Sequence, residues 1–548
     1  MNFKTKITVN GKVYFDTLNC AEFSLETARN DGQFVSTITA KCKIETLKAQ
    51  FECDFDFGDN IVFANGYQSW TPSKELGKND KMLYPSKWCQ MLEPLVHTSA
   101  YGDYKFAKYS KNAGFFHSFS YGYISQGGNS DLLLIGSLNE RSGYTIIYFD
   151  MNNSKIIIEK DLEGLVLEKN EMYEIVNFCC INDTYNGAFD KYFEKMYIKK
   201  PRVAHQNGYT SWYNYYQNIS ETIINRDLEN LSKLVNNVDI FQIDDGYQTA
   251  VGDWLSINKN KFPNGMKPVV EKIHAKGLKA GLWLAPFGAQ KNSEIVKNHP
   301  EWIVRDAKGK MLYAGMNWGG FFTLDIEQKC VREYIKKCFN EVLNVWGFDM
   351  VKLDFLYEVA QIPRCGKTRG QLMSEAMDFV RECVGDKLIL GCGVPLWQAF
   401  GVVDFCRIGA DVGLKWKDQP YIRRMHGEDV SCKETMNNTI FRRHLDGRAF
   451  CNDPDVCLLR DTNIKMTRQQ RFLLSRVNKA FGNLLFVSDD VGAYDDEQKN
   501  FINKTFDNKE ITEKYGKYVG ENLVEVGWTQ DGKKEKFVFD ISVGKIVR

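Results

Sequence analysis

"RDLENLSKLVNNVDIFQIDDGY" at residues 226–247 sets the grammar of the central part of the chain. A helical period over 226–237 runs into an apolar strand, and two adjacent carboxylates, Asp244 and Asp245, follow at its end. Read outward, the same helix-then-strand unit recurs. Further strands end near "NGYTSW" (207–212), "LKAGLWLAPF" (278–287), "FDMVKLDFLY" (348–357), "KLILGCG" (387–393), "VDFCRIGAD" (403–411), "RAFCNDPDV" (448–456) and "LLFVSDD" (484–490). With the opening unit these make eight strands, the number at which a parallel (β/α)8 TIM barrel closes. Before the barrel, stretches such as "FVSTITAKCKI" (34–44) and "YTIIYFDM" (144–151) alternate or run apolar over strand lengths, and after it "EKFVFDISVGKIVR" (535–548) returns to strands. The expected organisation is therefore multidomain: an N-terminal β-sandwich over 1–195, a barrel over 196–507 and a small C-terminal antiparallel β domain over 508–548.

Composition narrows the function. The 548 residues carry a formal net charge of +1, which gives no field of one sign to attract nucleic acid or an anionic membrane. Aromatic residues make up 13% of the chain, with 11 Trp against only 7 His, an inventory suited to stacking on a neutral ligand such as a sugar. The 15 Cys are odd in number and lack CxxC spacing, so reduced thiols in a cytoplasmic protein are expected, and neither metal nor cofactor is. The opening "MNFKTKITVN" does not read as a secretory leader, and no apolar run has membrane-spanning length. A homo-oligomer is compatible with these features.

In a barrel of this kind chemistry sits at the C-terminal ends of the strands, and the acidic residues gather there: Asp244 and Asp245, Asp354, Asp411, Asp453 and Asp455, Asp489 and Asp490. Any one of them could cap a helix or turn. Two together could hydrolyse a glycosidic bond, one attacking the sugar or activating water and the other protonating the leaving oxygen. Lys352 lies two residues before Asp354 on the same strand face, where its charge would favour an ionised carboxylate. Arg407 lies four residues before Asp411 and could restrain it or hold a substrate hydroxyl, subject to the kink that Gly409 allows. "HLDGRAF" (444–450) and the pair Arg423 and Arg424 read as solvated loops.

Taken in order, "NGYTSWYNYY", "IDDGYQ", "GLWLAPF", "WGFDMVKLDFLY", "RIGADV" and "NDPDV" resemble the α-galactosidases of glycoside hydrolase family 36 over about 200–490. The resemblance implies a retaining, exo-acting enzyme that forms a covalent galactosyl intermediate on small oligosaccharides. It makes Asp354 the nucleophile and Asp411 the acid/base, places Asp244 and Asp245 on the sugar's 4- and 6-hydroxyls, lines the pocket with Trp283 and sets Cys392 beside the 2-hydroxyl. An α-N-acetylgalactosaminidase or transglycosylase of the same family, and a carbohydrate-binding protein without catalysis, are the alternatives. Residues near Cys392 and in "GLKWKDQP" (413–420) would separate the two sugars.

One phrase occurs twice, "NGYQSW" at 65–70 and "NGYTSW" at 207–212, in otherwise unlike surroundings. The expectation is convergence on one task, an Asn-Gly turn delivering an indole. The barrel copy would line the pocket floor through Trp212 and Tyr213, and the sandwich copy would bring Trp70 over the mouth. The competing reading makes Trp70 a sandwich core residue.

Overall fold

A computed structural model describes residues 1–418 and 424–548. Two antiparallel sheets of six and seven strands form the N-terminal sandwich. Their alternating strands, such as Gln33–Ala40 and Leu47–Asp54, turn one face inward, so Ile7, Phe51 and Ile158 of one sheet meet Phe34, Ile38 and Phe178 of the other. The last strand, Met172–Asp183, is followed by the helix Tyr185–Lys195, which leads to the barrel.

The barrel strands are short and buried along almost their whole length, as strands covered on both faces must be. Gln206–Thr210, Ile240–Ile243, Lys279–Leu284, Met350–Leu353, Leu388–Gly391 and Phe405–Arg407 pair in parallel, in chain order. The seventh strand is broken. Cys451–Asp453 pairs with Phe405–Arg407, whereas Val456–Cys457 pairs with Leu484–Val487, which in turn pairs with the first strand. Pro454 supplies no N–H, and Asp455 has φ +78° with its amide donating to Asp453 Oδ1 at 2.8 Å. That turn hands the ladder from one neighbour to the other and closes the ring.

Two segments depart from the sequence expectation. After the third barrel strand the chain forms a separate three-stranded sheet from Gly288–Gln290, Phe321–Thr323 and Tyr313–Gly315, where only a helical connection was expected. "HLDGRAF" is not a solvated loop: His444 is buried between the Tyr185 and Tyr121 hydroxyls, each at 2.9 Å, and stacks on Phe189, so it joins barrel to sandwich. Of the basic pair, Arg423 lies outside the described residues, and the Arg424 carbonyl accepts from Ser86 N at 3.0 Å. A four-stranded antiparallel sheet, from Ile511–Tyr518 to Lys545–Ile546, ends the chain. Among the described residues no helix is long and apolar enough to cross a membrane.

Candidate active site

A cavity of about 210 Å³ opens at the C-terminal ends of the barrel strands, with Asp244, Asp245, Lys352, Asp354 and Asp411 in its lining and an aromatic wall of Trp70, Trp212, Trp283, Trp318 and Phe355. The strands explain the carboxylates. Ile240–Ile243 and Met350–Leu353 run almost wholly apolar until they leave the barrel, and the next residues are Asp244 and Asp354; Asp411 stands four residues past Phe405–Arg407.

Asp354 follows Met350–Leu353, and Phe355 turns away with φ +56°. Its Oδ1 accepts from Phe355 N and its Oδ2 from Trp283 Nε1, both at 3.0 Å. Burial pushes this carboxyl up from its ordinary value, while the charge of Lys352 and the hydrogen bonds from Trp283 and Cys392 oppose the rise. Lys352 is not the direct ion-pair partner of Asp354. Its ammonium lies 2.9 Å from Asp244 Oδ2. Burial is the largest influence and works against that charge, but Asp244 together with Asp354 and Cys392 outweighs it and holds the ammonium protonated. The cation thus serves both carboxylates, one by contact and one through space.

Asp244 also accepts from Gln242 Nε2 at 2.9 Å, and its amide donates to Ser211 Oγ. Asp245 takes three donors, Gln248 Nε2 at 2.5 Å and Gln217 Nε2 and Trp318 Nε1 at 2.8 Å. Burial still pushes its carboxyl up.

Asp411 differs from Asp354 in that its side chain is 38% exposed. Gly409 does not take Arg407 out of reach: Arg407 Nη1 donates to Asp411 Oδ1 at 2.9 Å. The guanidinium is buried behind the cavity lining and shared with two buried carboxylates, Asp455 at 2.7 Å and Asp453 at 3.3 Å. Asp455 further accepts from the Tyr213 hydroxyl and from Val412 N. Burial, set against Arg407, pushes the Asp455 carboxyl up.

Several expectations need correction. Tyr213 does not line the floor; it is buried, and its hydroxyl serves Asp455. Cys392 sits behind the wall, its Sγ accepting from Trp70 Nε1 at 3.3 Å. Trp70 lines the cavity, yet it is only 8% exposed and packs edge-on against Phe355 and Tyr357, so it is built into the wall. Neither copy of the doubled phrase holds a left-handed glycine. Gly208 lies inside the first barrel strand, where a Cβ would meet Phe486 at 2.4 Å, and at Gly66 one would meet Thr71 at 2.6 Å. Both glycines answer close approach, not a turn. In "GLKWKDQP", Gln419 and Pro420 lie outside the described residues, and Trp416 turns into the C-terminal sheet, donating to the Ile541 carbonyl at 2.9 Å.

Other lining residues escaped sequence reading. Trp318 and Asn317 come from the inserted sheet, and Tyr101 from the N-terminal domain; Tyr101 donates to Asn317 at 2.7 Å and stacks on His426. Glu428, in the same wall, accepts from Thr71 at 2.9 Å and Tyr104 at 2.7 Å. Their one sequence signal is an indole before paired glycines in "NWGG" (317–320). Among the described residues no cluster of His, Cys, Asp and Glu is arranged to hold a metal ion.

A buried carboxyl group, a second one open to solvent and an aromatic wall on one barrel rim are groups that can act on a glycoside. Residues 189–381 match the melibiase family. The match covers about a third of the chain. It includes Asp244, Asp245, Trp283 and Asp354, and Asp411 lies beyond it. An α-galactosidase of Escherichia coli is 27% identical over 237 residues, 39% of this chain and 32% of that protein. An A type blood α-D-galactosamine galactosaminidase of Flavonifractor plautii is 30% identical over 132 residues, 22% of this chain and 12% of that one. The chain thus matches about a third or less of the length of these relatives. Its fold is that of TtGalA, an α-galactosidase from Thermus thermophilus, with a TM-score of 0.72 at 22% identity over 97% of this chain and 98% of that one. The family 36 α-galactosidase AgaA from Geobacillus stearothermophilus follows it with 0.60 at 11% identity, over 96% and 80%. The fold around the matched segment is therefore that of family 36 α-galactosidases.

Proposed function

We propose that the chain is a retaining, exo-acting α-galactosidase that removes terminal α-linked galactose from small oligosaccharides. The observation that carries this reading is the contrast between two carboxylates facing one cavity: Asp354 is buried under donors, and Asp411 is half-open. In the first step an Asp354 oxygen attacks the anomeric carbon while Asp411 gives its proton to the departing glycosidic oxygen, leaving a galactosyl ester and an Asp411 carboxylate. In the second, Asp411 takes a proton from water, whose oxygen displaces Asp354 with the original configuration restored. Asp244 and Asp245 accept sugar hydroxyls in charge-assisted hydrogen bonds. Substrates of this kind are supported by relatives of the same fold, TtGalA in complex with stachyose and an AgaA variant with raffinose. The fifteen cysteines, all free, support a cytoplasmic location.

The purified protein should release galactose from 4-nitrophenyl α-galactoside, with the α-anomer first in the NMR spectrum. Asp354→Ala should abolish turnover on every substrate. Asp411→Ala should spare activated aryl galactosides, whose leaving groups need little protonation. Equal loss on good and poor leaving groups would remove Asp411 from the acid role. The galactosaminidase relative favours a second reading, that terminal α-D-galactosamine is the group removed, and the matching nitrophenyl α-galactosaminide decides between them.

A further inference from the structure

The helix Lys87–Val96 is amphipathic in the wrong sense for a surface helix. Its protein-facing side carries the buried Cys89 and Glu93, which accepts from Thr98 Oγ1 and Ser99 N at 2.9 Å each, while Lys87 and Gln90 are exposed, Gln90 donating to the Pro85 carbonyl at 2.9 Å. Its apolar stripe faces water. Trp88, Met91, Leu92 and Leu95 stand at i, i+3, i+4 and i+7, and three of them are at least 70% exposed. The helix is firmly mounted, with Ser86 capping its N-terminus and His97 stacked on Tyr313 at 4.3 Å past its end. Leu83 and Tyr84 extend the exposed patch. Next to it lies a hollow of about 220 Å³, lined by Tyr84, Pro85, Cys89 and Lys105 among others.

We infer that this helix is the centre of a two-fold interface between two copies of the chain. Six side chains of this size and exposure leave on the order of 600 Å² of apolar surface in water. Pairing two such patches removes about 1,200 Å², the lower end of what stable interfaces bury. An isologous contact needs one self-complementary patch, and this one offers both a projecting indole and an adjacent hollow. Tyr101, five residues past the helix, lines the cavity, so the contact stands beside the candidate active site without depending on what is catalysed there.

Sedimentation velocity on the full chain at micromolar concentration tests this. The wild type should sediment with twice the 63.1 kDa chain mass, or as a higher assembly built from such pairs. Trp88→Ser should weaken association by at least about 30-fold, the effect of losing one anchor residue. Adding Met91→Ser and Leu95→Ser should leave single chains with an unchanged circular dichroism melt, while Tyr197→Ser, an exposed aromatic elsewhere, should change nothing. A wild type that is a single chain would overturn the inference, and so would an assembly indifferent to the triple change. A single chain that floats with phosphatidylcholine vesicles would give the patch to a membrane instead and equally overturn it.

Discussion

Lys352 shows how one cation can serve two carboxylates, and its removal should have two separable effects. Lys352→Met keeps most of the volume but leaves Asp244 buried without its ammonium, a loss of about 3–5 kcal/mol of stability. It also removes the main charge opposing the burial of Asp354, so that carboxyl should hold its proton to higher pH. The acidic limb of kcat/KM should therefore move upward in pH. A limb that stays in place would show that Lys352 only builds the site. Glu75 offers a test without activity. It is buried on the strand Lys74–Leu76, with Tyr123 donating to it at 2.9 Å, and burial pushes its carboxyl from 4.5 to about 7. Between those values the native state keeps a proton that the unfolded chain has lost, so stability falls as pH rises and levels off above about 7. Each pH unit in that window costs up to about 1.4 kcal/mol. Glu75→Gln keeps an acceptor for Tyr123 and removes the proton. The difference in melting temperature between about pH 5 and about pH 8 should shrink in this variant, and an undiminished difference would place the titration elsewhere.

Among the elements, Arg442 is the residue that ties a sandwich loop to the barrel. It is fully buried and has no carboxylate partner among the described residues; its donors go to the carbonyls of Ser69 at 2.6 Å, Ile408 at 2.8 Å and Gln68 at 3.2 Å. Burial lowers its pKa to about 10. Arg442→Met should leave those carbonyls bare, at about 1–3 kcal/mol for each group left unsatisfied, and should release the loop that holds Trp70. Lower melting temperature together with a raised KM would support that tie, whereas lower stability with unchanged KM would separate the loop from the site. Arg442 also marks where sequence reading stops. The barrel was legible because short apolar strands alternate with helical periods, and Asp244 and Asp354 stand out as the residues directly after two of those strands. Arg442 sits in "FRRHLDGRAF", which looks solvated because its partners are backbone oxygens, most of them more than 370 residues away. Trp318 and Tyr101 were hidden for a related reason: the insert and the loop that carry them have no period to read. The doubled phrase misled in the opposite way, since two glycines with the same neighbours answer two different close contacts.

At the scale of the whole molecule, sandwich and barrel share one site and should behave as one unit. The loop 65–71 enters the barrel: Ser69 N donates to the Val394 carbonyl at 2.9 Å, and Trp70 packs on Phe355, the residue after Asp354. Elsewhere Arg369 of the barrel pairs with Asp161 of the sandwich at 3.1 Å, with both side chains nearly buried. The two readings of Trp70, wall of the site and buried core, are therefore not exclusive. Its ring has a cavity face and a packed face. Trp70→Ala should cost roughly 3–5 kcal/mol of stability, as large-to-small changes in cores do, and should also raise the inhibition constant of free galactose. Trp212 provides the control. It is half-buried at the start of a short helix in the same cavity, so Trp212→Ala should weaken galactose binding with little change in melting temperature. Calorimetry should show a single unfolding transition for the wild type and for both variants. If Trp70→Ala split the transition in two while galactose bound normally to the folded fraction, the N-terminal domain would only brace the barrel, and the sugar would be held by barrel residues alone.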